Sequence, residues 1–127
     1  MQEFEAAITI YEDVLAIRRE IQPEKKIEQA ICLSSMAGAY RETKKYEKSE
    51  QYLKEALEIF TAELGEDHLS TATCLNNMAL TFKKQKKFAQ AEPLYLRALK
   101  IRETHLNELH PEVIALKHNL GIQIYRL

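Results

Sequence analysis

The histidines and cysteines have the clearest capacity for metal binding or nucleophilic chemistry in this chain: His68, His105, His110, His118, Cys32 and Cys74. Two histidines on one helix ligate zinc when they are four residues apart. His110 and His118 are eight residues apart, which is about 12 Å along a helix. The sequence also contains no Gly-rich phosphate loop, nucleophile elbow or carboxylate pair of diagnostic spacing. We therefore expect no metal and no cofactor, and an enzyme is the least supported class of protein.

The composition is that of a globular protein without a bulk charge. The 127 residues are 46% hydrophobic and 29% charged, and three glycines and three prolines are too few for the turns of a β-sandwich or barrel. The net charge of −1 favours neither nucleic acid nor an anionic membrane as a partner. With no membrane-spanning run, no secretory leader and only two cysteines, we expect a cytoplasmic protein.

The chain repeats itself with a period of 42 residues. Three aromatic residues are in register at Phe4, Tyr46 and Phe88, and the other aligned sets include Leu15, Leu57 and Leu99, and Ile17, Ile59 and Ile101. Such a period is typical of a stacked array, in which each unit buries its apolar face against its neighbours. The cysteines share one phase, on helices whose axes lie too far apart for a disulfide, so we predict two small core residues. His68 and His110 share another phase, which favours local caps or packing elements.

Helical spacing of the apolar residues predicts two kinds of helix, which we call A and B. Long connectors are predicted at Pro23, Gly65 and Asn107, with Asp67 as an N-cap, and the short A-to-B turns at Lys44-Lys45 and Lys86-Lys87. The chain is then a single array over 1–127, taken as a segment of a longer one. Its order is B-A-B-A-B-A: a B helix at 3–22, A/B units at 24–63 and 68–107, and a terminal A helix at 110–126.

These hairpins, with small residues at fixed phases and an aromatic residue at the A-to-B turn, resemble the tetratricopeptide repeat. The signature phases are occupied by Leu75, Ala79, Phe82, Phe88, Ala91, Tyr95 and Ala98. The 42-residue length and the segments LNNMA, AEPLYLRALKIRE and LGEDH at 75–79, 91–103 and 64–68 resemble the kinesin-light-chain type of the family. The resemblance covers essentially the whole chain. It implies an all-α, right-handed superhelical array of antiparallel helix hairpins, an α-solenoid, that binds proteins or peptides and is not an enzyme.

Two residues depart from the repeat pattern. Lys117 stands at the phase of Leu33 and Leu75, which weakens the core face of the last A helix. Pro93 lies about five residues into a B helix, where it removes a backbone hydrogen bond and predicts a slight bend.

The family resemblance implies that the A helices line a concave groove, into which residues offset by one from the core stripe point. The predicted groove residues are Ser34, Ser35, Arg41, Thr73, Asn76, Asn77, Lys84, His118, Asn119 and Tyr125. Asparagine is unfavourable inside a helix, because its side chain competes for the backbone hydrogen bonds, so its presence there indicates a specific role. The amides of Asn77 and Asn119 could clamp the main chain of an extended peptide. Alternatively, they bond across adjacent A helices, and the sequence leaves both interpretations open.

Basic residues recur near the C-terminal ends of the A helices, at Arg41, Lys83, Lys84 and Arg126. They favour an acidic peptide as the ligand over a basic one. The other interpretation is a solvated run that complements the helix dipoles.

A second class of function is self-assembly. The first B helix lacks an A helix of its own, and the last A helix lacks a B helix, so both ends present apolar surface. One copy could complete the next in a head-to-tail contact, although a segment of a longer array would show the same ends.

Overall fold

The chain forms an all-helical array. The computed structural model describes residues 2–106 and 110–120, apart from the side chain of Asn119. These residues contain six helices and no strand, namely α1 (Gln2–Ile21), α2 (Lys26–Glu42), α3 (Tyr46–Leu64), α4 (Leu69–Lys84), α5 (Phe88–His105) and α6 (Pro111–Asn119). The predicted all-α class and B-A-B-A-B-A order are confirmed, with α2, α4 and α6 as the A helices.

The helices pack as successive antiparallel neighbours. Each helix contacts the next along the chain, and α2 also contacts α4. One core cluster joins α1, α2 and α3 with Cys74 of α4, and a second joins α4, α5 and α6. The fully buried small residues are Ala30, Ala37, Ala56, Ala72, Ala79 and Ala98. Because these side chains end at Cβ, the helices approach closely, and burial is local to adjacent units as in other repeat arrays.

Both A-to-B turns lie where the sequence predicts them. Each ends its A helix with a lysine in the left-handed region, Lys44 at a φ of 64° and Lys86 at 63°. The amide of Lys45 donates to Tyr40 O at 2.8 Å, and the amide of Lys87 donates to Phe82 O at 2.9 Å. This is the Schellman arrangement, in which the left-handed position is usually glycine.

Histidines cap two of the A helices. His68 Nδ1 accepts from the Ser70 amide at 3.0 Å, and His110 Nδ1 accepts from the Glu112 amide at 3.2 Å. The cap role predicted for both histidines is confirmed. The prediction of Asp67 as the N-cap is wrong by one residue, because α4 begins directly after His68 and the imidazole nitrogen takes the position of the usual oxygen acceptor.

Two buried polar side chains in the interface between α3 and α4 are paired. Ser49 Oγ and Thr81 Oγ1 lie 3.1 Å apart with no exposed surface on either residue. Thr81 Oγ1 donates its single hydrogen to Asn77 O at 3.0 Å, so Ser49 is the donor of the pair. The thiols of Cys32 and Cys74 are free and buried, as predicted, and donate to Tyr11 O and Leu53 O.

The two residues that depart from the repeat pattern, Lys117 and Pro93, lie in α6 and α5. Lys117 of α6 keeps 18% of its side chain exposed, and its Nζ lies 3.9 Å from Glu103 Oε2. Residues 121–126 of the predicted terminal helix and the predicted connector at Asn107 lie outside the described residues. Pro93 lies inside α5 with its ring exposed.

Candidate peptide-binding groove

A cavity of about 290 Å³ opens between α2 and α4, on the face where the sequence predicts a groove. We call this face the groove. The cavity is lined by Ile31, Ser34, Ser35, Phe60, Ser70, Thr73, Cys74 and Asn77. Four predicted groove residues therefore meet here, two from each A helix. The volume is at the lower end of the range for small-molecule pockets, so the site suits a side chain of a larger ligand.

Ser34 and Cys74 form the inner wall of the cavity. The Ser34 hydroxyl is buried, and its one polar neighbour among the described residues is the Cys74 sulfur, a weak acceptor. Burial raises the pKa of the Cys74 thiol to about 12, and the hydrogen bond from Ser34 opposes that shift. A thiol with so high a pKa is an inert packing group and not a nucleophile.

Thr73 is held in place by a residue that the sequence analysis missed. Arg102 of α5 is buried, and its Nη2 donates to Thr73 Oγ1 at 3.1 Å. The Thr73 hydroxyl donates in turn to Leu69 O at 3.1 Å. The 42-residue repeat could have indicated that Arg102 lies near the groove, because Arg102 is equivalent to Phe60, which lines the same cavity.

The side-chain amides of Asn76 and Asn77 on α4 form no hydrogen bond with another described residue. Asn76 Oδ1 is buried without a hydrogen-bond partner in the described part of the chain. The half-buried Asn77 lines the cavity, and only its backbone oxygen takes part in a hydrogen bond to another described side chain, that of Thr81. Bonding of Asn77 across adjacent A helices is thus not observed among residues 2–106 and 110–120.

Arg41 is a buried cation at the C-terminal end of α2. Only 12% of its side chain is exposed, and its Nε is 3.7 Å from Glu42 Oε1, beyond hydrogen-bonding distance. Its Nε and Nη1 have no acceptor within the described residues. The hydroxyl of Tyr95 is also buried and unpartnered there, and burial raises the pKa of Tyr95 while the charge of Arg41 opposes the shift. The guanidinium thus forms an ion pair with Glu42 but keeps hydrogen-bond donors for a further acceptor.

Four other predicted groove residues do not line the cavity: Arg41, Asn76, Lys84 and His118. Lys84 is exposed at the end of α4, and His118 is exposed on α6. The side chain of Asn119 and all of Tyr125 lie outside the described residues. Phe60 and Ser70 line the cavity although the sequence analysis did not select them.

A larger cavity of about 580 Å³ lies between the C-terminal ends of α1 and α3. Arg19 forms an ion pair with Glu55 there, and Gln29 Nε2 donates to the backbone oxygens of Gln22 and Pro23. None of the predicted groove residues that the structure describes lines this cavity.

The described residues were searched by chemistry for metal ligands and by length and hydropathy for membrane-spanning helices. Across 2–106 and 110–120, no group of three or more His, Cys, Asp or Glu side chains could hold a metal ion. None of the helices described there is both long and apolar enough to cross a membrane.

The fold and the repeat pattern correspond to a known class of protein. A family model of the tetratricopeptide repeat matches residues 1–62 and 28–104. These matches cover well over half of the sequence, and the chain belongs to the tetratricopeptide repeat family. Members of this family generally mediate protein–protein interaction and are generally not catalytic.

The comparison with solved structures supports the same repeat subtype. The chain is similar to BtubC (BKLC) from P. vanneervenii, whose crystal structure superposes with a TM-score of 0.83 at 27% sequence identity. The match covers 94% of this chain and 47% of that chain, so this sequence spans about half the length of its neighbour. No curated protein matches the sequence. The predicted resemblance to the kinesin-light-chain type of repeat is confirmed.

Proposed function

We propose that this chain is a non-enzymatic scaffold that holds an extended segment of a partner protein in the groove between α2 and α4. The family membership supports a protein partner, and the cavity lined by Ser34, Ser35, Thr73 and Asn77 supports the location. The two free, buried thiols support a reducing compartment, the cytoplasm.

The observation that carries this proposal is a set of buried polar atoms on α2 and α4 that the chain itself bonds weakly or not at all. Asn76 Oδ1 and the Nε and Nη1 atoms of Arg41 have no hydrogen-bond partner within the described residues, and Ser34 Oγ has only the Cys74 sulfur. A buried polar group without a partner costs about 1–3 kcal/mol, and more when it is charged. A bound ligand that supplies the missing donors and acceptors recovers that cost, which explains their presence together on the A helices.

The chemistry of these groups defines the segment that fits. Arg41 requires an acceptor, and a carboxylate matches the planar guanidinium best. Asn77 carries both a donor and an acceptor at the cavity, which suits the main chain of an extended peptide. The proposed ligand is therefore an acidic segment, with its backbone at Asn77 and a Glu or Asp side chain at Arg41.

Isothermal titration tests this proposal with a matched pair of peptides. A peptide selected for binding from a displayed library is synthesised with its acidic residues intact and, as the control ligand, with Gln in place of Glu. Replacement Arg41→Met keeps the length and apolar stem of the side chain. Hydrogen bonds to a charged group contribute about 1.5–3 kcal/mol, so we expect the variant to bind the Glu peptide about tenfold or more weakly.

The Gln peptide should bind the Arg41→Met variant and the parent protein equally well. A second variant, Asn77→Ala, should weaken both peptides alike, because it removes a contact to the main chain. Equal affinities of the parent and the two variants for the Glu peptide would contradict the proposal.

A second candidate function is head-to-tail self-association through α1. Its exposed stripe consists of Ile10, Ile17 and Ile21, which are 61%, 54% and 69% exposed. The residues equivalent to Ile17 in α3 and α5 are Ile59 and Ile101, and both are packed against a core. An A helix from a second copy could cover the stripe, as could a preceding repeat of a longer array.

Light scattering over a wide range of concentration separates this candidate from groove binding. Self-association predicts a mass that rises with concentration and falls back to that of a monomer in Ile17→Lys. A monomer at every concentration would remove it, and would leave the groove proposal intact.

A further inference from the structure

The same three-residue motif occurs at both A-to-B turns. Two lysines precede an aromatic residue at 44–46 and again, 42 residues later, at 86–88. The aromatic residue begins the following B helix in each case, and Phe88 is 60% exposed. Each turn therefore presents two cations beside an aromatic ring.

The two turns are neighbours in the array. Gln85, which directly precedes Lys86, lines a cavity of about 400 Å³ with residues of the first turn, including Lys44, Glu47 and Lys48. Gln85 Nε2 donates to Glu50 Oε2 at 2.7 Å, which joins the turns and occupies that carboxylate. We call this surface the basic rim and define it by Lys44, Lys45, Lys48, Lys86, Lys87 and Phe88.

The lysines of the basic rim are not neutralised by the fold. None of the five forms an ion pair with another residue in the described part of the chain. Lys48 Nζ instead lies 5.3 Å from the centroid of the Tyr40 ring, in a cation–π contact that leaves its charge uncompensated.

Complementing the helix dipoles does not account for all of these charges. Lysine residues near the end of an A helix interact favourably with its carbonyl groups. Lys44 and Lys86, however, occupy the left-handed position of the turn, where glycine or asparagine is preferred and lysine is strained. Lys45 and Lys87 already supply the positive charge at these ends. Strained lysines at both turns therefore point to a contact outside the chain.

We propose that the basic rim is a second docking surface, separate from the groove, for an acidic segment of a partner protein that also carries an apolar side chain. Carboxylates would pair with the five lysines, and the apolar side chain would pack on Phe88. A protein is favoured over nucleic acid as the occupant, because the chain belongs to a family whose members generally mediate protein–protein interaction and its net charge of −1 adds no bulk attraction for a polyanion.

The decisive variant is Lys44→Gly/Lys86→Gly, because it changes stability and binding in opposite directions. Glycine relieves the left-handed strain, so the melting temperature should rise. Removal of two cations should weaken the binding of a fluorescent peptide of alternating Glu and Phe, measured by anisotropy at low salt, by about tenfold. The second variant, Lys44→Asn/Lys86→Asn, tolerates the same backbone conformation and should lose affinity equally.

The matched control, Lys54→Gln/Lys100→Gln, removes the same charge from exposed positions on α3 and α5 and should leave the affinity unchanged. The turn substitutions are also made in an Arg41→Met background, where they should lower the affinity by the same factor as in the parent protein, because the rim is separate from the groove. Undiminished binding by both turn variants overturns the proposal, as does an equal loss in the Lys54/Lys100 control. Tighter binding of single-stranded oligo-dT than of the peptide would assign the rim to nucleic acid instead.

Discussion

The interface between α3 and α4 and the groove side of the A helices differ in how their buried polar side chains are bonded. In the interface, Ser49 of α3 and Thr81 of α4 bond to each other, and the Thr71 hydroxyl donates to Gly65 O at 2.8 Å. On the A helices, Asn76 and Arg41 have buried atoms with no hydrogen-bond partner among the described residues, and the Ser34 hydroxyl has only the Cys74 sulfur. The chain thus bonds its polar groups well in this interface and poorly at these positions of the A helices.

This difference separates what folding requires from what binding requires. A satisfied buried pair stabilises the native state, and an unsatisfied one destabilises it. The interface between α3 and α4 therefore serves the fold, whereas the groove side of the A helices bears a cost that only an external partner removes. Variants in the two regions should have effects of opposite sign.

The largest effect is expected for the apolar core. Leu75 of α4 is fully buried, and Leu75→Ala should lower the free energy of unfolding by about 2–5 kcal/mol, because it removes apolar contacts and leaves a cavity. Urea denaturation measures the change. The matched control is Leu96→Ala on α5, where 46% of the side chain is exposed and the change should stay within about 0.5 kcal/mol. Similar losses in the two variants would contradict this assignment of the core.

The next effect concerns the buried hydroxyl pair. Ser49→Ala removes the donor to Thr81 and should lower the free energy of unfolding by about 1–3 kcal/mol. The double variant Ser49→Ala/Thr81→Val should be less destabilised than the sum of the single variants, because the two hydroxyls act as a pair. Strict additivity in this cycle would show that the hydroxyls do not interact.

The Cys74 thiol predicts a pH dependence of stability. Its pKa in the folded state is about 12, against an ordinary value of 9.0, so above 9.0 the unfolded state releases a proton that the folded state keeps. Stability should then fall by about 1.4 kcal/mol for each pH unit between these two values. Urea denaturation at rising pH should show a shallower fall for Cys74→Ala than for the parent protein. Parallel curves for the two proteins would be inconsistent with a thiol of raised pKa.

The smallest effect is expected on the groove side of the A helices. Ser34→Ala removes a hydroxyl whose one polar neighbour in the described residues is the weakly accepting Cys74 sulfur, so the free energy of unfolding should change by less than about 0.5 kcal/mol or increase. Thermal and urea denaturation measure the difference from Ser49→Ala, which is the matched serine in the interface between α3 and α4. A loss as large as that of Ser49→Ala would remove the distinction between the two regions.

The repeat made most of the fold predictable. Residues in register at 42-residue spacing, such as Leu33 and Leu75, occupy equivalent and fully buried positions, and the turns at Lys44 and Lys86 follow the same spacing. The helix cap at His68 was assigned to Asp67, because an imidazole nitrogen is an unusual cap acceptor and an adjacent aspartate is a common one.

The groove was predictable in position but not in detail. Ser34, Ser35, Thr73 and Asn77 were selected by phase and do line one cavity. The contribution of Arg102 was missed, because its long side chain reaches Thr73 from a B helix 29 residues further along the chain. Neither the burial of Arg41 nor its lack of an acceptor follows from periodicity, since both depend on how α2 and the neighbouring helices pack.

The most direct test of the central claim is to measure stability and affinity on one variant, Arg41→Met. If Arg41 serves a ligand, the free energy of unfolding should stay the same or increase, because a largely buried cation, whose only ion pair is with the exposed Glu42 in the described residues, is replaced by an apolar side chain. The affinity for the acidic library-selected peptide should fall about tenfold or more. A variant that loses more than about 1 kcal/mol of stability while binding the peptide as well as the parent would contradict the account.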